Sequence, residues 1–181
     1  PALSIYFDVA DDFSIAGHET RLERVLIADN LRHDALEPVF NAAALAAGSV
    51  AHPQGEALAW LWQFSGSRLH TRKGDAPPLE DRPEFVFQVT DGRVDISRRQ
   101  RGTPIDQAVA ELMILANSTW AGELHAAGHP ALYRVQSGGK VRSSTAAGPH
   151  DGLGVAQYMW ASSPLRRYAD LVNQRQLIAL T

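Results

Sequence analysis

Two adjacent arginines, Arg166 and Arg167, follow Ser162, Ser163 and Pro164 at the head of a helical pattern near the C-terminus. Serine before the helix and proline in its first turn are start signals. The pattern therefore predicts a helix over 164–180, with Leu165, Tyr168, Leu171 and Val172 as its buried stripe. Both guanidinium groups would then sit where the helix is already electropositive by about half a charge and prefers Asp or Glu. An anion held by the helix amides and a guanidinium fork would explain the reversal. A plainer reading uses the same spacing: Arg166 and Asp170 stand at i and i+4, and an exposed pair there contributes about 0.3–0.5 kcal/mol. Spacing alone favours the plain pair, since most charged faces are simply solvated.

Other groups of chemically capable residues are weaker. Asp8, Asp11 and Asp12 in "DVADD" could hold Mg²⁺, but they fall at a strand end, where Asp serves turns. His33, His70, His125, His129 and His150 lack the spacing of a zinc motif such as HExxH, so no metal site is expected within the chain. His150 lies in the glycine loop before the last helix, beside a site or merely in a turn. Arg98, Arg99 and Arg101 could position phosphate or form a solvated strand end.

Composition bounds the class. The chain has 181 residues, 45% hydrophobic and 20% charged, with no cysteine and a net charge of −3. That is enough for one domain with a core, and it excludes a disulfide framework and thiolate metal sites. No apolar run approaches the roughly 20 residues of a membrane helix, and no signal-peptide pattern is present. A cytoplasmic location without membrane contact is the expectation. Pro1 opens on a strand edge and "QLIALT" closes inside a helical pattern, so a fragment of a longer protein is expected.

The elements that would position these residues are readable. "ALSIYFDVA" alternates as a half-buried strand, and the run after Gly17 continues a hairpin or meander. Residues 34–48 are alanine-rich and helical in pattern, as are 54–72. Asp91-Gly92 between two alternating runs predicts a two-residue type I′ hairpin. Thr103, Pro104 and Asp106 predict a helix start, and Gly128 an end. The helix over 103–127 carries Ile105, Val109, Leu112, Met113, Ala116, Trp120 and Leu124 as a deeply buried stripe. "HPALYRVQ" predicts a short strand. These elements imply an α+β fold, an antiparallel sheet packed against helices in one layer system, with Arg166 at the floor of a cleft.

The stretch "PHDGLGVAQYMWASSPLRRYADLVNQRQL", residues 149–177, resembles the "PHFGL…Y…TSPIRRYxDLxxHRxL" pattern of the RNB catalytic domain in the ribonuclease II and RNase R family. "AELMILAN" at 110–117 is similar to the family's "EE(A/C)MxxAN" helix, and "DRPEFVF" at 81–87 and "NLRHDAL" at 30–36 extend the likeness. The resemblance implies the C-terminal part of an RNB domain over 1–181. It implies a 3′→5′ exoribonuclease that hydrolyses single-stranded RNA to nucleoside 5′-monophosphates with Mg²⁺. The family's metal-binding aspartates and OB-fold domains would lie in the remainder of the same polypeptide, the aspartates well upstream. Arg166 matches the arginine that reaches the scissile phosphate. His33, Glu111, Arg134, Ser162, Ser163 and Arg167 fall where RNA contacts are implied.

Several positions depart from the family pattern. His33 stands where an aromatic, often Tyr, stacks on a base; Ala110 replaces the first Glu of the pair and leaves Glu111; Gln174 replaces the His of "HRxL"; Asp151 replaces Phe; Gln136 ends "LYRVQ" where the family has His. They touch recognition of the terminal nucleotide more than catalysis. An RNB-like module that binds RNA without cutting it is the alternative. An unrelated α+β ligand-binding domain, with Arg166 only a surface charge, is the third reading, and the length of the match argues against it.

Overall fold

A computed structural model of the chain describes residues 1–75, 84–99 and 102–181. The fold is α+β. The strands pair antiparallel, divided into three two-stranded sheets: β1 (Ala2–Val9) with β2 (Ile15–Glu23), β3 (Glu84–Thr90) with β4 (Arg93–Arg99), and β5 (Tyr133–Val135) with β6 (Arg142–Ser144). The helices are α1 (His33–Leu36), α2 (Ala42–Ala46), α3 (Gly55–Lys73), α4 (Pro104–Ala126) and α5 (Tyr168–Leu180). Where the sequence suggested one layer system, the chain forms two compact units. The first comprises Pro1–Asp29, Ser67–Gly74 and Glu111–Thr181, and the second Asn30–Gly66 and Asp75–Ala110. No helix among the described residues is long and apolar enough to cross a membrane.

Local chemistry explains most boundaries. Asp91 and Gly92 both have positive φ, 51° and 76°, as a type I′ turn requires. Asp12 accepts a hydrogen bond from Ser14 N at 2.9 Å, so its carboxylate serves the β1–β2 turn, and the register shifts between Asp8 and Val9. At the head of α4, the Thr103 and Asp106 side chains each accept from the other's backbone N–H, at 3.4 Å, a reciprocal cap. At its end His129 N donates to Leu124 O and Gly128 N to His125 O, with Gly128 at φ 68°; this is the Schellman arrangement.

Each unit has its own core. In the first, Trp120, Ala121 and Leu124 of α4 pack with Tyr133 of β5, Met159, Ala161 and Leu177 of α5, and Leu3 and Ile5 of β1 close against them. In the second, Leu36, Phe40, Leu58 and Ile105 form the centre. The expected α4 stripe is shifted: Ile105, Trp120 and Leu124 are buried, but so are Glu111 and Asn117, while Val109 is exposed.

The last helix departs most from expectation. It begins at Tyr168, and Arg167 occupies its N-cap with an extended backbone, φ −131° and ψ 118°. Residues 164–166 form a turn. Leu165 and Tyr168 are exposed, and the buried positions of α5 are Asp170, Asn173 and Leu177. The two arginines therefore precede the helix, and the acid in its first turn is Asp170, as the helix dipole favours.

Candidate nucleic-acid interface

The irregular segment 158–163 supports the site, and buried amides from two helices hold its backbone. Asn117 of α4 accepts from Ala161 N at 3.0 Å and donates to Tyr158 Oη and Ser162 Oγ at 3.4 and 3.3 Å. Asn173 of α5 accepts from Leu132 N at 2.8 Å and donates to Leu132 O and Trp160 O at 3.0 and 2.9 Å. Gln174 donates to Ala161 O at 2.6 Å. Both asparagines have no solvent exposure, so each satisfies backbone groups that water cannot reach. Burial raises the Tyr158 hydroxyl above the usual phenol range.

Asp170 closes the turn ahead of α5. Its carboxylate accepts from Ser163 N at 2.8 Å, Arg167 Nε at 2.8 Å and Arg167 Nη2 at 2.7 Å. Ser163 O in turn accepts from the backbone of Arg166 and of Arg167. The guanidinium groups of Arg167 and Arg134 both lie over the Trp160 ring, at 4.5 and 4.3 Å from its centroid, close enough for cation–π attraction. Arg134 also donates to Ser143 Oγ at 3.0 Å. Arg166 is exposed, and its side chain makes no hydrogen bond or ion pair among the described residues.

Arg134, Ser162, Ser163, Arg166 and Arg167 thus share one locally braced region of the first unit. The Arg166–Asp170 pair expected from spacing is an Arg167–Asp170 pair instead, because Arg167 sits at the N-cap three residues before the acid. Arg166 is exposed, and the 680 Å³ cavity of this unit is lined by Phe7, His18, Arg68, Glu111 and Gln157 among others, without Arg166. Glu111 belongs to that cavity wall but is engaged: both its oxygens accept from Arg72, Nε at 2.9 Å and Nη2, and Arg72 also donates to Leu153 O. His33, in the second unit, contacts Glu37 at 3.1 Å and Asp106 at 3.0 Å. Arg98 is exposed on β4, while Arg101, the Arg99 side chain and residues 76–83, including the start of "DRPEFVF", lie outside the described residues.

Sequence reasoning missed Asn117, Trp160, Asp170 and Asn173 as supports. Asn117 and Asn173 stand amid apolar helical positions, which is a usable signal, since buried amides need partners. Among the described residues no group of three or more His, Asp or Glu side chains could hold a metal ion.

The model of the RNB domain family matches residues 1–147 and 139–181. The chain is 49% identical over 49 residues to Exoribonuclease 2 of Erwinia tasmaniensis, an alignment covering 27% of this chain and 7% of that protein. It has the same identity over the same length to Exoribonuclease 2 of Pectobacterium atrosepticum. The apo form of Mycoplasma genitalium RNase R is similar in fold, with a TM-score of 0.74 at 15% identity over 94% of this chain and 35% of that one. The Dss1 exoribonuclease of Candida glabrata gives 0.61 at 20% identity, over 74% and 22%. The chain thus spans a small part of the relatives it matches.

Proposed function

This chain belongs to the RNB domain family, and on that premise we propose that it is part of a 3′→5′ exoribonuclease acting on single-stranded RNA, with nucleoside 5′-monophosphates as products. The observation that carries the reading is Arg166: an exposed guanidinium without an internal partner, displayed from a braced turn, at the position where the family places its phosphate-contacting arginine. Negative charge builds on the phosphoryl oxygens as a phosphodiester is hydrolysed, and a guanidinium carried on a fixed backbone can meet it; loss of a charge-stabilising donor typically costs roughly 10²–10³-fold in rate. RNase R of Mycoplasma genitalium has been solved with ribose-methylated single-stranded RNA and with double-stranded RNA, which supports RNA as the ligand here.

The family's activity implies Mg²⁺. The described residues do not fit such an ion, so its aspartate ligands are proposed to come from the upstream remainder of the polypeptide. Arg166 then acts on the phosphate, while Arg134 and Arg167 position the surface around Trp160. Contacts of Ser162, Ser163, Glu111 and His33 with RNA remain part of the proposal. An RNB-like module that binds without cutting is the second reading. The Arg72–Glu111 pair favours it: with both oxygens already accepting from Arg72, Glu111 offers a terminal nucleotide only its remaining lone pairs, which weakens placement of the reacting end without touching the phosphate grip.

The test uses purified chain, labelled single-stranded RNA and Mg²⁺. The chain alone should bind RNA and release no mononucleotides, and adding the upstream segment should restore cutting. Each phosphate neutralised should add about −0.7 to the slope of log K against log salt. No RNA binding, or binding indifferent to salt, overturns the proposal. Binding without cutting after the upstream segment is added selects the second reading.

A further inference from the structure

The turn before α5 displays two side chains and holds back the one between them. Arg167 is committed to Asp170 and Trp160. Its extended backbone separates the Cα atoms of Arg166 and Tyr168 by about 6.6 Å, two strand-like steps. Arg166 is exposed and Tyr168 is 79% exposed. Neither side chain makes a hydrogen bond, ion pair or ring contact among the described residues. Leu165, on the same turn, is fully exposed.

A single exposed aromatic residue is ordinary. This one differs in its support. Ser163 is tied through its N–H to Asp170 and through its carbonyl to the amides of Arg166 and Arg167, and Ala161 just ahead is held by Asn117 and Gln174. The backbone carrying the ring and the guanidinium is therefore fixed before any ligand arrives. A tyrosine ring has only two side-chain torsions to lose on contact. Its π face suits any base, and a guanidinium beside it suits the phosphate.

We infer that Tyr168 is a nucleobase-stacking residue that acts with Arg166 as one grip on single-stranded nucleic acid, the guanidinium on a phosphate and the ring on an adjoining base. The inference rests on the RNA-binding reading above and adds the base contact to it. The contact is indifferent to sequence, because every base has a stacking face.

Equilibrium binding of the full chain to two short oligomers separates the contributions. One is oligoadenylate RNA; the other is an abasic ribose-phosphate strand of equal length. Tyr168→Ala should weaken oligoadenylate binding about tenfold and leave abasic binding unchanged. Tyr168→Leu, which keeps bulk without a π face, should behave like the alanine variant, and Tyr168→Phe like the native chain. Arg166→Gln should weaken both oligomers alike. Equal loss on both oligomers in Tyr168→Ala and Tyr168→Leu, or no loss on either, overturns the stacking assignment while leaving RNA binding intact. A native chain that binds neither oligomer overturns the RNA reading and this inference with it.

Discussion

Arg167 closes two hydrogen bonds, 2.8 and 2.7 Å long, onto an Asp170 carboxylate that has no exposure to solvent. The pair is three residues apart in sequence and lies at the head of α5. Its third partner, Ser163 N, makes it the lock of the whole turn. Removing the carboxylate leaves Ser163 N and a guanidinium that is 22% exposed without their acceptor, at about 1–3 kcal/mol. Asp170→Ala should therefore lower the unfolding free energy by that order in urea titrations. An unchanged midpoint would mean the lock is energetically idle.

Arg166 and Arg167 should respond differently to the same change. On the proposed function, Arg166→Lys in the chain joined to its upstream segment should lower kcat far more than it weakens RNA binding, because lysine keeps charge but loses the planar fork. Arg167→Lys should lower stability instead, since it gives up the bidentate contact and the Trp160 stack. Single-turnover rates, equilibrium binding and melting on the same preparations separate these outcomes. An Arg166→Lys enzyme that cuts at the native rate but binds weakly would make Arg166 a backbone clamp.

The side chains of the Arg72–Glu111 pair are largely buried, 8% and 6% exposed. Glu111→Gln should cost stability on the order of 3 kcal/mol by leaving the guanidinium poorly paired. Gly154 packs on the same arginine: its φ is +66°, and a Cβ there would meet Arg72 O at 2.4 Å. Gly154→Ala should therefore destabilise through both strain and overlap. Denaturant midpoints of the two variants provide the check; native values in either would show that this corner yields.

His150 is buried, its ring meets Tyr158 edge-on at 5.5 Å, and its Nδ1 has no hydrogen-bond partner among the described residues. Burial holds its pKa below the ordinary 6.5, with Arg134 acting in the same direction and Asp151 and a backbone hydrogen bond opposing. The unfolded chain then binds more protons in mild acid. The contribution of neutral His150 is fully present above pH of about 6.5 and is lost as pH falls toward the folded value. His150→Gln should flatten the dependence of the urea midpoint between neutral and mildly acidic pH. A slope equal to that of the native chain would assign the loss to other groups.

Much of the molecule was readable from neighbouring residues alone. The Asp91-Gly92 turn, the Thr103–Asp106 cap and the Gly128 terminus each depend on interactions within a few residues, which is why type and spacing sufficed. The family resemblance was legible for a similar reason: the run from Pro149 to Leu177 and the helix from Ala110 to Asn117 carry their pattern in contiguous residues, and the RNB match covers the chain. What no window of sequence could supply was the partner of each buried polar group. Asn117 reaches Ala161, Asn173 reaches Leu132, and Arg72 reaches Glu111, contacts separated by about forty residues or more in the chain. The Asn117 bond, with those of Asn173 to Trp160 O and Gln174 to Ala161 O, holds the segment before α5. Within it, Asp170 draws Arg167 into an extended N-cap, delays the helix to Tyr168 and leaves Leu165 and Tyr168 in solvent despite their apolar spacing. Helical periodicity assumes that an apolar stripe chooses the buried face; here a buried carboxylate with three donors to satisfy chose it instead.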